Sequence, residues 1–185
     1  MIRTRSWALL ALFLLTAGAA QATEKYSGYI APNTSVFPRT GGQRLMVTID
    51  SFTDQKDTEF LVDTVQKKGV KALEKELWKR EIGRISVGNS LSYPIATAHS
   101  FEDPELGTRK LILLLARPIS YGEIARSSRS VQYPFTLVEL DTDGAGNGSG
   151  EMLVAAKISV RRDGSVEIEN LDARPLRILK VQRSQ

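Results

Sequence analysis

The 185-residue chain has no cysteine and a single histidine, His99. Without cysteine there is no disulfide, no thiol nucleophile, no cysteine-ligated zinc or iron–sulfur cluster, and no lipid attached through an N-terminal cysteine. One histidine removes the H-E-x-x-H helix and every multi-histidine metal centre. Aromatics are sparse at 7%, and neither sign of charge dominates, with 25 basic residues against 21 acidic. Arg3 and Arg5 lie in a segment expected to be removed, which leaves 23 against 21. So small an excess is no footprint for nucleic acid, and no such partner is expected. The G-x-x-x-x-G-K phosphate loop, the G-x-G-x-x-G turn, the G-x-S-x-G elbow and the S-x-x-K pair are also missing. No cofactor is implied.

Residues 1–22 carry the clearest signal. Arg3 and Arg5 make a positive start, Trp7 to Leu15 an apolar run, and Ala20-Gln21-Ala22 the A-x-A pattern that a signal peptidase accepts. Cleavage is expected between Ala22 and Thr23. The apolar run is shorter than the roughly 20 residues of a spanning helix, so a signal peptide is read there rather than an anchor. The longest later apolar run, Leu111 to Ala116, has only strand length. The mature chain is therefore expected to be periplasmic or secreted, with no transmembrane segment after signal removal. Residues 23–185 contain no repeat and no change of composition, and we read them as one domain.

Residues 23–42 are rich in Pro and Gly without a sustained period, as in an extended N-terminal arm with a short strand at Tyr26–Ile30. Leu45, Val47 and Ile49 then alternate with mostly polar neighbours, the pattern of a half-buried strand. Over Asp54 to Arg80 the period changes to a helical one. Leu61, Val65, Gly69, Leu73 and Leu77 recur every fourth residue, with acids leading the segment and Lys75, Lys79 and Arg80 ending it. Thr53 or Asp54 suits the N-cap, and Gly69 between Lys68 and Val70 favours two helices over one.

After Gly83 the period returns to two. Ile85 and Val87 suggest a short strand, and Tyr93, Ile95, Thr97, His99 and Phe101 would share one face of the next. Leu111 to Ala116 is apolar on both faces, which fits a strand covered on two sides. A helical turn is expected at Ser120–Ala125, a strand at Tyr133 to Asp141, a Gly-rich connector from Asp141 to Gly150, and a strand at Glu151–Val160. A turn at Arg162–Ser165 and strands at Val166–Glu169 and Leu176–Val181 complete the chain. The order predicts an α+β fold: a curved, mainly antiparallel sheet of about 7–8 strands with a helical pair inserted after the first long strand. The first arrangement considered is an open sheet gripping the helices. The alternative is a small closed β-barrel with the helices outside.

Few residues suggest chemistry. Asp141, Asp143 and Asn147 are the candidates for a calcium loop, but an EF-hand register would need ligands at Ala145 and Met152, which their side chains cannot supply. Glu139, Asp141, Glu167 and Glu169 could in principle pair as glycosidase carboxylates, although strand carboxylates usually face solvent. Arg161, Arg162, Arg174, Arg177, Lys180 and Arg183 form a modest basic set that fits a solvated face. Tyr93, Thr97, His99 and Phe101 are the candidate ligand-binding residues, because they combine apolar bodies with polar tips on one predicted face.

The segments Tyr26-Ser-Gly-Tyr29, Arg117-Pro-Ile-Ser-Tyr121, Tyr133-Pro-Phe-Thr-Leu-Val-Glu-Leu140, Ala156-Lys-Ile-Ser-Val160 and Glu169-Asn-Leu-Asp-Ala-Arg-Pro-Leu176 resemble an uncharacterised family of secreted bacterial proteins, a domain of unknown function. The resemblance spans nearly all the mature chain. It implies export and a single domain, and it carries no activity, cofactor or functional residue. Three functions follow as expectations. The favoured one is a non-enzymatic module that binds a small apolar ligand or lipid between sheet and helices. The others are a domain that binds an envelope protein through its arm or a sheet edge, and an exported hydrolase using His99 or a carboxylate pair. The absent motifs weigh against an enzyme.

Overall fold

The computed structural model describes residues 23–31, 42–119, 133–160, 166–170 and 175–184. The signal segment, residues 32–41 of the arm, the turn expected at Ser120–Ala125 and the turn at Arg162–Ser165 lie outside the described residues. The elements run β1 (Glu24–Ile30), β2 (Gln43–Ile49), α1 (Gln55–Lys68), α2 (Val70–Leu77), β3 (Gly83–Val87), β4 (Tyr93–Ile95), β5 (Thr97–Asp103), β6 (Thr108–Leu115), β7 (Phe135–Asp143), β8 (Asn147–Val160), β9 (Val166–Asn170) and β10 (Leu176–Ser184).

All strand pairs are antiparallel, in the order β4-β3-β2-β1-β10-β8-β7-β6-β5, with β9 on the far half of β8. The two ends of this path, β4 and β5, are successive pieces of one bent strand. Its first piece pairs with β3, and the Ala96 N–H then crosses to the Leu114 carbonyl of β6 at 2.8 Å. The sheet thereby curls into a nearly closed barrel. Glu24–Ile30 lies in the middle of the path with β2 and β10 on either side, so this part of the arm is built into the sheet.

Inward-facing residues fill the lumen. Ile30, Leu45, Val47, Ile85, Leu111, Leu113, Val138, Leu140, Met152 and Ile178 are all buried in one cluster. The helices pack outside, as in the barrel alternative. Leu61 and Val65 of α1 and Leu73 and Leu77 of α2 join Phe135, Ala156 and Ile158 in a second core against the outer face of β7 and β8. Leu111 to Leu115 thus serves both cores, since Leu111, Leu113 and Leu115 face the lumen and Leu114 the helices.

Two expectations need correction in detail. Among the described residues the sheet has ten strands. The count rises because the arm supplies β1 and the Tyr93–Phe101 strand divides into β4 and β5, while the Gly-rich stretch lengthens β7 and β8, with only 144–146 as turn. A Cβ on Gly148 would fall 1.8 Å from the Asp141 carbonyl oxygen and one on Gly150 2.2 Å from that of Glu139, so these glycines permit a close strand approach. The other correction concerns Tyr93 to Phe101. Ile95 and Ala98 face the lumen, whereas Ala96 between them faces the helices. The alternation therefore slips by one residue at the bend.

Candidate functional site

That slip divides the predicted ligand-binding face. Tyr93 and Ile95 belong to the lumen side, where the Arg117 guanidinium lies 4.9 Å over the Tyr93 ring. Thr97, His99 and Phe101 come together on the outside beside α1. The position of α1 there follows from local chemistry. Thr53 exchanges two hydrogen bonds with Ala98 of β5, its N–H donating at 2.8 Å and its Oγ1 accepting at 3.0 Å. The next residue, Asp54, is the N-cap, and its Oδ1 accepts the Asp57 N–H at 2.7 Å. Asp57 in turn receives both arms of Arg80, at 2.7 and 3.1 Å, which ties the start of α1 to the end of α2.

Between these helices and β5 run two cavities whose walls share Thr58 and His99. One, of about 160 Å³, is apolar, lined by Leu61, Val62, Val65, Leu73, Leu77, Leu114 and Ile158 with Thr97. The other, of about 440 Å³, is lined by Phe52, Thr53, Gln55, Ser100 and Phe101. Burial pushes the His99 imidazole below its ordinary 6.5, so it stands neutral at pH 7 with one donor and one acceptor. Its ring stacks 6.4 Å from that of Phe101, which is 55% exposed at the open end. The groove offers an apolar slot continuous with a hydrogen-bonding chamber whose lining side chains carry no charge.

A second polar cluster closes the end of the barrel where β1 begins. Glu24 and Tyr26 share the inward phase of Ile30, and Arg109 that of Leu111 and Leu113. The Glu24 carboxylate, 11% exposed, accepts from Arg109 Nη1 at 2.9 and 3.0 Å, Arg183 Nη2 at 3.0 Å and the Tyr26 hydroxyl at 2.7 Å. Arg109 also donates from Nε to Ser100 Oγ at 2.7 Å and lies 5.2 Å over the Phe52 ring. Burial, and then the Glu24 carboxylate, push the Tyr26 phenol up to about 12. Sequence reading missed this cluster. The available signal was a charged residue at the end of a strand in phase with its apolar face: Glu24 before Tyr26, Arg109 before Leu111.

The calcium-loop candidates are otherwise engaged. Asp141 pairs with Lys110 at 3.5 Å, and Asp143 Oδ1 accepts from the Ala145 and Asn147 N–H groups at 2.9 and 2.8 Å. Lys110 also pairs with Glu139, so those two carboxylates sit on a charged outer face. Among the described residues no group of three His, Cys, Asp or Glu side chains could hold a metal ion. Nor is any described helix long and apolar enough to cross a membrane. No family model, curated protein or solved structure matches the chain.

Proposed function

We propose that the protein is an exported, non-enzymatic domain that holds a small, uncharged amphipathic molecule in the groove between α1 and β5. The observation that carries this reading is the pair of adjoining cavities, apolar on one side and polar but uncharged on the other, joined at Thr58 and His99. An apolar chain in the slot replaces water against Leu61, Val65, Leu73 and Leu77. A hydroxylated head meets Thr53, Gln55, Thr58 and His99. Among the described residues the inward side chains of the lumen pack against one another in a single apolar cluster. Export rests on the Arg3/Arg5 start, the Trp7–Leu15 run and the Ala20–Ala22 site, which support a mature chain beginning at Thr23.

Calorimetric titration with octan-1-ol and with octanoate at pH 7.5 tests the reading. A neutral His99 supplies no countercharge and Arg109, behind Phe52 and Ser100, is paired with Glu24, so the alcohol should bind at a single saturable site and more tightly than the carboxylate. Val62→Glu places a charge on the slot wall at a partly exposed position and should weaken octan-1-ol binding at least tenfold. Absence of saturable binding, or binding indifferent to Val62→Glu, would overturn the proposal.

A further inference from the structure

The polar cluster at the barrel end lines a cavity of its own, of about 310 Å³, between the β5–β6 and β7–β8 turns. We propose that this mouth is a second binding site, for a small zwitterion of the amino-acid class held with its carboxylate inward and its ammonium at the rim.

The floor is cationic. Arg109 and Arg183 converge on Glu24, and Arg109 Nε also lies 3.9 Å from the largely exposed Glu102 Oε1 at the rim, so two guanidiniums share one buried carboxylate. Each guanidinium has five N–H donors. Arg109 uses Nη1 on Glu24 and Tyr26 and Nε on Ser100, with Glu102 also 3.9 Å from Nε, and Arg183 uses Nη2 on Glu24. In the contacts among the described residues, Nη2 of Arg109 and Nη1 of Arg183 remain to receive a second carboxylate, a geometry that suits guanidinium recognition. The rim is anionic. Glu102, Asp103 and Asp143 line it. Two of these are held in place by their own turns: Asp103 Oδ1 accepts from the Glu105 and Leu106 N–H groups and Asp143 Oδ1 from those of Ala145 and Asn147. Their other carboxylate oxygens are left for a cation. The backbone bond from Arg183 N–H to the Gly146 carbonyl, 2.9 Å, fixes floor and rim to each other.

Charge of both signs selects the ligand. An anion alone meets three rim carboxylates, and a cation alone meets the guanidinium floor. Only a molecule carrying both charges satisfies the two poles, and the volume lies at the lower end of the range for small-molecule sites.

The test is saturation-transfer NMR on the mature chain with the twenty common α-amino acids and glycylglycine at millimolar concentration, with acetate and ethylamine as single-charge controls. At least one zwitterion should give a saturable signal that neither control matches. Arg183→Gln and Asp143→Asn, the latter keeping the oxygen that caps its turn, should each weaken that binding about tenfold. Neither residue lines the groove beside α1, so both variants should keep octan-1-ol binding. No signal from any zwitterion, an equal signal from acetate or ethylamine, or undiminished binding in both variants would overturn the proposal. Loss of octan-1-ol binding alone, in the wild-type chain, would count against the groove and leave this site standing.

Discussion

His99 carries the most testable consequence at the scale of single residues. Its imidazole loses hydration against α1, which lowers its pKa in the folded chain below the 6.5 of an exposed histidine. As pH falls through that window the unfolded chain takes up the proton first. The histidine's contribution is therefore complete above about pH 6.5 and drains away on acidification through the folded value. Urea unfolding between pH 7.5 and 5 should show the wild-type chain losing stability faster than His99→Gln. Parallel pH dependences would mean that the ring is not desolvated. Asp57 follows the same sign in a lower window, because the Arg80 hydrogen bonds hold its carboxyl below the ordinary 3.8, so the two effects separate on the pH axis. Tyr26 runs the other way. Its buried phenol, pushed up to about 12, favours the folded state below pH 10 and loses that contribution as pH rises toward 12.

Among the elements, the helical pair was the most legible in sequence. The Leu61/Val65/Leu73/Leu77 stripe, the Asp54 cap and the break at Gly69 all appear where the period and cap chemistry put them. Gly69 adopts φ 80° and ψ 175°, a conformation that essentially only glycine visits, and a Cβ there would meet nothing within 4 Å. Gly69→Ala should therefore cost about 1–3 kcal/mol from backbone strain alone. A cost under about 0.5 kcal/mol in urea unfolding would contradict that conformation. The bent strand was far less legible. Tyr93-Pro-Ile-Ala-Thr-Ala-His-Ser-Phe101 keeps a formal period of two throughout, and small residues at Ala96, Thr97 and Ala98 give little polarity contrast to mark the slip. Only pairing with two different neighbours, β3 and then β6, fixes where the face turns over. The Gly-rich stretch misled for a related reason. Glycine there serves close strand approach as well as the turn, and composition does not separate the two uses.

On the scale of the whole molecule, curvature decides where ligands can go. Closing the sheet over its own apolar residues leaves no room for the helices inside, so they make a second core on the outer face. The groove lies at the margin of that second core, beside the end strand β5, and the polar mouth lies where the lumen's apolar layers stop. Sequence periodicity conveyed the curved antiparallel sheet and the inserted helices. It could not convey the mouth, because Glu24, Arg109 and Arg183 are distant in the chain and meet only through barrel closure. The central claim is that the groove beside α1 carries a small neutral amphiphile in the exported protein. Native mass spectrometry of the chain purified from the cells that make it, followed by denaturing extraction, tests this most directly. The account predicts a mature mass beginning at Thr23 with one stoichiometric, uncharged amphipathic molecule released on denaturation. A mature chain that carries nothing, or one whose released molecule is wholly polar, would contradict it.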